Sequence, residues 1–374
     1  MSELLTYNEE FLKSQNGYWT AKEICQQPRI WREAAANVDS KRSELDAWLT
    51  PILAQANLRI ILTGAGTSAY VGEAIAPHLS QQSGRLFEAV STTDIVSNAP
   101  QYLLKTIPTL LISYGRSGNS PESVAAVKLA EQVVDNCYHL VITCNPEGDL
   151  ATNAEQQDNA FSLLMPEGTL DQSFAMTSSF TSMLVSTVAI FAPQTEQLEI
   201  AAQWAENFLD KNVDALKEQA KQPTQRLVFL GAGNLQGIAR EAALKVLELT
   251  AGQVLSYFES PLGFRHGPKS LMDASTEVVF FSSSDSYTKL YDQDLLAELH
   301  RDDQALAITT LTKASFNHAE DIADVWAGLP YILYCQILAF FKSMQANITP
   351  DNPCPTGEVN RVVQGVTLYP LEMH

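Results

Sequence analysis

The amino-acid sequence predicts an α/β fold of two tandem, doubly wound parallel-sheet sandwiches with an N-terminal helical extension. Three observations predict it: two glycine turns that follow similar apolar runs, two further pairs of apolar runs at the same spacing, and helix-period segments between the runs. Apolar runs without polar alternation indicate strands that are buried on both faces, as in a parallel sheet covered by helices.

The two halves of the chain repeat one order of strands. The offsets between corresponding runs are 167, about 168 and 166 positions. The pairs are residues 58–66 with 225–233, residues 109–114 with 277–281, and residues 140–143 with 306–309. Three strands in the same order at one offset indicate a tandem duplication.

We therefore expect a chain of three parts. They are a helical extension over residues 1–44, a first domain over 45–200 and a second domain over 216–374. Helices are predicted over 121–134 and 237–250, where apolar residues recur at helical spacing. Residues 195–224, which are rich in Glu, Gln, Lys and Ala, are predicted to form one long amphipathic helix that links the halves.

Charge and composition limit the classes of function. Among 374 residues, 43 are acidic and 24 are basic, which gives a net charge of −19 and disfavours nucleic acid and anionic lipid as partners.

Residues 1–6 lack a secretory pattern, and the apolar stretches near 183–192 and 331–341 fall short of the roughly 20 residues that span a bilayer. The five cysteines form no CxxC pair, so neither a disulfide framework nor a metal site is indicated. We expect a cytoplasmic protein.

The first glycine turn, residues 64–69, is a candidate anion site. A turn between a buried strand and a helix exposes backbone N–H groups at the helix start, here beside the hydroxyls of Thr67 and Ser68. The same residues match the dinucleotide fingerprint GxGxxA, for which Glu88 or Asp94 is the candidate ribose ligand. A third interpretation is that the glycines only permit a tight turn.

A second polar turn, residues 115–120, is the more specific signal. Ser117 and Ser120 flank Gly118, and Ser120 precedes Pro121, as an N-cap residue does. Hydroxyls together with free N–H groups suit the oxygens of a phosphate monoester, although Ser120 could serve only as a helix cap. The two turns follow neighbouring strands, so we expect them to face the same crevice. The second half lacks the Ser-Gly-x-Ser pattern, which predicts one phosphate site per chain.

A carboxylate–histidine pair in the second half is a candidate for proton transfer. Glu241, Lys245 and Glu248 lie at i, i+4 and i+7 and share one helix face. An exposed, charge-paired stripe is the alternative interpretation of that pattern. His266 lies in a stiff Phe-Arg-His-Gly-Pro loop. A carboxylate and a histidine are the minimum set for ring opening and proton transfer on a sugar.

These motifs resemble the sugar isomerase (SIS) family. The resemblance rests on the turns at 64–68 and 117–120, the helix at 243–248 and the loop at 264–268. It extends from about residue 45 to the end and includes the duplication. The chain is similar to the isomerase half of glucosamine-6-phosphate synthase. It is most similar to the galactosamine-6-phosphate deaminase/isomerase subgroup, historically called tagatose-6-phosphate ketose/aldose isomerases.

The resemblance implies a role for each candidate residue. It implies that Ser68, Ser117 and Ser120 bind the sugar 6-phosphate, with Thr67 and Arg116 in the same turns. It also implies roles for the remaining candidates: proton transfer between C1 and C2 by Glu248, ring opening by His266 from a neighbouring subunit, a site-lining position for Lys245, and sugar contact by residues 175–179, including Ser178.

Two residues depart from the pattern of the synthase. Gln364 stands at about the place of the lysine that forms a Schiff base with the ketose, and Arg116 replaces a small polar residue. Loss of the lysine suits a deaminase, because the substrate of a deaminase brings its own nitrogen. We expect no glutaminase domain ahead of the first SIS unit, and ammonia is therefore expected to be free.

The resemblance implies conversion of galactosamine 6-phosphate to tagatose 6-phosphate and ammonium without a metal or other cofactor. It also implies a homodimer or higher homo-oligomer with a shared active site. The alternatives are a plain ketose/aldose isomerase of a hexose phosphate, a non-catalytic sugar-phosphate sensor and a nicotinamide dehydrogenase. Residues 1–50 contain no basic recognition helix, which disfavours the sensor. The Ser-Gly-x-Ser turn disfavours the dehydrogenase.

Overall fold

The computed structural model describes residues 3–372. What the sequence predicts for residues 1, 2, 373 and 374 lies outside the described residues. The chain divides into two compact units. The first-sheet unit comprises Glu33–Asp171, Ser178–Pro193 and Gly357–His374. The second-sheet unit comprises Met1–Arg32, Gln172–Thr177 and Gln194–Thr356.

The N-terminal residues form a short hairpin and four helices. Strand β1 (Glu3–Leu4) pairs antiparallel with β2 (Tyr7–Asn8). The helices are α1 (Glu9–Ser14), α2 (Tyr18–Cys25), α3 (Gln27–Ser40) and α4 (Arg42–Leu53). The division between the two units falls within α3, so the helices at the N-terminus contribute to both units.

The first-sheet unit is built on a five-stranded parallel sheet. Its elements are β3 (Arg59–Thr63), α5 (Thr67–Ser83), β4 (Phe87–Ala89), α6 (Thr92–Ser97), α7 (Ala99–Tyr102), β5 (Thr109–Gly115), α8 (Pro121–Val133), β6 (Cys137–Thr143), α9 (Asp149–Ala154), β7 (Ala160–Leu164) and α10 (Ser178–Phe191). The strand order is β4-β3-β5-β6-β7. Every residue of β5 is buried, which is the expected environment of a central strand covered by helices.

The second-sheet unit contains a four-stranded parallel sheet. Its elements are α11 (Thr195–Lys211), α12 (Val213–Gln219), β8 (Arg226–Leu230), α13 (Asn234–Leu249), β9 (Leu255–Glu259), α14 (Pro261–Phe264), β10 (Thr276–Phe281), α15 (Thr288–Asp302), β11 (Ala307–Leu311) and α16 (Asp324–Gln345), with 3-10 turns over Pro268–Leu271 and Lys313–Phe316. The strand order is β9-β8-β10-β11. Two parallel sheets with helical crossovers confirm the predicted fold class.

The prediction of one linking helix over 195–224 is wrong. Two helices, α11 and α12, meet at Asn212, which is the C-cap of the first and the N-cap of the second. The side-chain oxygen of Asn212 accepts a hydrogen bond from Asn317 Nδ2 at 2.6 Å. Asparagine disfavours helix interiors because its side chain competes for local hydrogen bonds, so the helix ends here.

Helix α16 corrects a second expectation. Its 22 residues are long and apolar enough to cross a membrane by length and composition, whereas the sequence expectation placed every apolar stretch well below that length. However, 94% of its most apolar window is buried inside the structure. Gly328 permits a close approach to α13, because a Cβ at this position would lie 2.9 Å from Ile238 Cγ1. This burial identifies α16 as a core helix of its unit.

Candidate functional site

The glycine turn of the first-sheet unit presents two hydroxyl residues at the start of α5. Gly66 has a φ of +57°, and a Cβ at Gly64 would lie 2.6 Å from Ser68 Cβ, so glycine is required at both positions. Thr67 and Ser68 are the first two residues of α5, and each is 5% exposed. The turn therefore brings two hydroxyls to a helix N-terminus, where the positive end of the helix dipole favours an anion.

The second polar turn connects β5 to α8. Ser120 occupies the N-cap position ahead of Pro121, but its hydroxyl makes no capping hydrogen bond with the described part of the chain. The interpretation of Ser120 as only a helix cap is therefore not supported. Ser117 Oγ accepts a hydrogen bond from the backbone N–H of Asn119 at 3.2 Å, and Gly118 has a φ of +67°.

The register of the sheet brings the two turns to one edge. Strands β3 and β5 are adjacent and parallel, with Thr63 paired to Ser113 at their ends. The carboxyl ends of neighbouring parallel strands open on the same crevice, which is where ligands bind in open α/β sheets. The hydroxyls of Thr67, Ser68, Ser117 and Ser120 thus follow two adjacent strands of one sheet.

Two residues that the sequence analysis missed support the second turn. Asn145 Nδ2 donates a hydrogen bond to the carbonyl oxygen of Ser117 at 2.9 Å. Gly148 packs so closely that an added Cβ would collide with the same carbonyl oxygen. The signal in the sequence is the Asn-Pro-x-Gly turn directly after β6.

Arg116 links this turn to the C-terminal segment. The residue is 6% exposed, and its guanidinium donates a hydrogen bond to the carbonyl oxygen of Arg361 at 2.7 Å. The Arg361 guanidinium in turn donates to the carbonyl oxygen of Asp171. Residues after 356 therefore belong to the unit that carries the phosphate-type turns, and Gln364 is exposed within them.

Ser178 is fully buried at the start of α10. Its hydroxyl donates a hydrogen bond to Asp171, whose other carboxylate oxygen accepts the backbone N–H of Ser179 at 2.9 Å. Asp171 therefore caps α10, a role that the sequence analysis did not identify because the two residues are seven positions apart. The preceding segment, Gln172–Thr177, lies in the second-sheet unit, where Glu23 accepts hydrogen bonds from Gln172 and Ser173.

The charged stripe on α13 is buried. Lys245 Nζ lies 2.5 Å from Glu248 Oε2 and 3.2 Å from Glu241 Oε1. Glu241 and Lys245 are completely inaccessible, whereas the Glu248 side chain is 22% exposed. The alternative of an exposed, charge-paired stripe is therefore wrong. Glu248 is therefore the residue of this stripe that a ligand can reach.

Lys245 remains a cation in this setting. Burial alone would lower the pKa of Lys245, but the adjacent carboxylates of Glu241 and Glu248 outweigh burial and raise it. A cation therefore lies 2.5 Å from the partly exposed carboxylate of Glu248.

His266 is exposed on a loop that ion pairs hold in place. Arg265 Nε lies 2.8 Å from Glu298 Oε2 on α15, and Lys269 pairs with the same carboxylate and with Asp302 at 2.5 Å. Gly267, between them, has a φ of +128°. The loop is therefore attached to α15 on both sides of His266, and the imidazole lies on the surface of the chain.

The dinucleotide interpretation finds little support in this geometry. Glu88, one candidate ribose ligand, makes a two-point ion pair with Arg59, with nitrogen–oxygen distances of 2.6 and 2.8 Å. The other candidate, Asp94, lies in the first turn of α6. Within residues 3–372, no group of three or more His, Cys, Asp or Glu side chains is placed to hold a metal ion.

Comparison with known proteins adds to this geometry. The SIS domain matches residues 52–193 and 222–347. The chain is 55% identical to the D-galactosamine-6-phosphate deaminase AgaS of Shewanella sp. (strain ANA-3), over 98% of this chain and 96% of the relative. It is 49% identical to the protein of the same name from Escherichia coli O157:H7, over 95% of this chain and 97% of the relative. The solved structure of tagatose-6-phosphate ketose/aldose isomerase from Escherichia coli is 46% identical, with a TM-score of 0.89 and coverage of 96% of this chain and 98% of that chain.

Proposed function

Because this chain belongs to the SIS domain family, we propose that it is an aminosugar-phosphate deaminase/isomerase. The reaction converts galactosamine 6-phosphate to tagatose 6-phosphate and ammonium. The observation that carries the proposal is the 55% identity, across 98% of this chain, to a relative named D-galactosamine-6-phosphate deaminase.

In this proposal the two polar turns of the first-sheet unit bind the phosphate. The hydroxyls of Ser68, Ser117 and Ser120, with Thr67 beside them, donate to the phosphate oxygens together with the backbone N–H groups at the starts of α5 and α8. Arg116 supplies positive charge in the same turn. This local set of donors must outweigh the long-range repulsion between a dianionic substrate and a chain of net charge −19.

Glu248 is the proposed base. It takes the proton from C2 of the open-chain aldose and returns it to C1, which converts the aldose amine to a ketose imine. Water then adds to the imine carbon, and the nitrogen leaves as ammonium while the carbonyl of tagatose 6-phosphate forms. A carboxylate suffices because the neighbouring carbonyl and amine acidify the C2 proton. Lys245 lines the site beside Glu248, and residues 175–179, which include Ser178, contact the sugar.

His266 is proposed to open the sugar ring in the site of a neighbouring subunit. Its exposed position on a fixed loop supports an action outside its own chain. This requires a homodimer or higher homo-oligomer with a shared active site. We also propose that the enzyme works in the cytoplasm, where a sugar phosphate substrate is retained.

Plain aldose–ketose isomerisation is the second candidate. It is favoured by the printed name of the solved Escherichia coli structure, a tagatose-6-phosphate ketose/aldose isomerase. By the resemblance, Gln364 stands at about the place of the Schiff-base lysine of the synthase, and this difference favours the deaminase.

The deciding experiment measures ammonia release from galactosamine 6-phosphate, with glucosamine 6-phosphate and tagatose 6-phosphate assayed in parallel. We expect ammonia from the galacto substrate and little from the gluco substrate. Interconversion of tagatose 6-phosphate with its aldose, without ammonia from the amino sugars, would replace the proposal with the isomerase. No reaction of any of the three would favour a sugar-phosphate sensor.

A further inference from the structure

The second-sheet unit has a crevice of its own at the place that corresponds to the phosphate crevice of the duplicated half. Its volume is about 340 Å³. It is lined by Ala232 after β8, residues 260–262 after β9, and Tyr287, Tyr291 and Asp292 at the start of α15. From β8 the chain adds β9 on one side and then β10 and β11 on the other. Ligands bind in open α/β sheets at such a switch point, here between β8 and β10.

Asp292 lines this crevice, and at the turn after β10 it and Asp324 accept hydrogen bonds that an anion could otherwise accept. The backbone N–H of Ser283 donates to Asp292 Oδ2 at 2.8 Å, and that of Ser284 donates to Asp324 Oδ1 at 2.7 Å. The hydroxyl of Ser283 donates to Asp324 Oδ2 at 2.6 Å. The corresponding turn of the first half, after β5, carries the Ser-Gly-Asn-Ser sequence. Carboxylates thus stand where a phosphate would be held, and the crevice repels a second anion.

One carboxylate oxygen of Asp292, Oδ1, accepts no hydrogen bond from the described residues. The residue is 1% exposed, and no hydrogen-bond donor in the described part of the chain reaches its Oδ1 atom. Burial raises the pKa of Asp292 to about 6, and the charge of Asp324 adds to that effect, while the Ser283 N–H and the charge of Lys289 oppose it. At neutral pH the group is still largely ionised. A buried carboxylate oxygen without a donor is unfavourable unless a ligand supplies one.

Two tyrosines form the open side of the crevice. The ring centroids of Tyr287 and Tyr291 are 5.2 Å apart, their hydroxyl oxygens are 2.8 Å apart, and the residues are 67% and 38% exposed. Aromatic faces attract cations, and tyrosine hydroxyls bond to polar ligands. Neither lysine nor arginine lines the cavity. The lining is therefore suited to a positively charged organic molecule.

We propose that this crevice is a second ligand site, which binds a small protonated primary amine with a polar body of about monosaccharide size. The ammonium group donates a hydrogen bond to Asp292 Oδ1 and faces the ring of Tyr287 or Tyr291. A cavity of this volume lies at the small end of ordinary ligand sites. The inference is independent of the proposed catalytic function, since none of these residues takes part in it.

The test is a titration of the full chain with unphosphorylated galactosamine, in which binding is measured by calorimetry or by ligand-observed NMR. N-acetylgalactosamine serves as the neutral control, and saturating tagatose 6-phosphate blocks the catalytic site. We expect galactosamine to bind and the N-acetyl sugar not to bind. D292N should weaken the affinity by at least about 10-fold, the scale of a lost hydrogen bond to a charged group. Y291A should weaken it by a smaller factor.

D303N is the matched control, because it removes one charge at the end of the same helix, α15, away from the crevice. It should leave the affinity unchanged, and turnover of the phosphorylated substrate should be normal in D292N. Equal galactosamine binding by wild type and D292N would overturn the proposal. So would displacement of galactosamine by tagatose 6-phosphate, equal binding of the N-acetyl sugar, or the absence of galactosamine binding to the wild type.

Discussion

Glu248 is the residue on which the proposed chemistry most directly depends. For Glu248→Gln, turnover should fall by at least ~10²-fold, because a general base is lost while the shape of the side chain is kept. Binding of the phosphorylated substrate should be preserved, since the phosphate donors are untouched. Steady-state kinetics together with a binding titration would check both expectations. Near-normal turnover would remove Glu248 from the mechanism.

Lys245 forms ion pairs with two carboxylates, and its own side chain and that of Glu241 are fully buried. For Lys245→Met, the free energy of unfolding should fall by about 3–5 kcal/mol, because an ion pair between buried side chains is broken. Chemical denaturation measures this change. The control is Lys313→Met, whose pairing with Asp321 is exposed and whose loss should cost less than about 1 kcal/mol. Equal effects of the two substitutions would contradict the buried arrangement.

Asp292 gives a pH dependence of stability. Its native pKa of about 6 lies above the ordinary value of 3.8, so the native state binds the proton more tightly than the unfolded state does. The stability from this group is therefore complete below pH 3.8 and is lost as the pH rises through about 6. Asp292→Asn should raise the melting temperature at pH 7.5, and the difference should vanish near pH 4. A constant difference across that range would contradict the assignment.

At the scale of elements, the pairing of the 264–269 loop with α15 positions His266. For Glu298→Gln, which weakens the ion pairs of both Arg265 and Lys269, turnover of the cyclic substrate should fall by about 10-fold, because a displaced catalytic group loses alignment. Open-chain substrate should be less affected, since it needs no ring opening. Asp294→Asn is the control: it removes only an exposed partner of Arg265 and should have a smaller effect. Equal loss on both substrate forms would separate the loop from ring opening.

At the scale of the whole molecule, a shared active site predicts complementation between inactive subunits. Glu248→Gln and His266→Asn proteins, each weak alone on cyclic substrate, should regain roughly a quarter of wild-type activity when their subunits are mixed at random in a dimer. The regained activity comes from mixed dimers, in which one of the two sites has both native residues. The measurement is turnover after unfolding and refolding the two proteins together. Activity that stays at the sum of the separate proteins would place both residues in sites formed by one chain.

Local patterns in the sequence predict the duplication and the parallel sheets. Strands such as β3 and β8 are unbroken apolar runs, and a residue's preference for a doubly covered strand depends mainly on its own side chain and its close neighbours. The glycine turns and the serine turn can also be predicted from the sequence, because backbone conformation and the start of a helix depend on neighbouring residues. The resemblance to the SIS family then followed from these short motifs and their order.

The tertiary structure decided which polar groups are buried and which of them are paired, because such contacts join residues that are distant along the chain. Ser178 donates to Asp171, Asn145 supports the turn at Ser117, and the stripe on α13 is buried although its sequence pattern also fits an exposed face. The break at Asn212 likewise accompanies a contact more than 100 residues away. Asp292 and Asp324, which accept hydrogen bonds from the turn after β10, come from later helices, so only the fold shows that carboxylates occupy the donors of this turn.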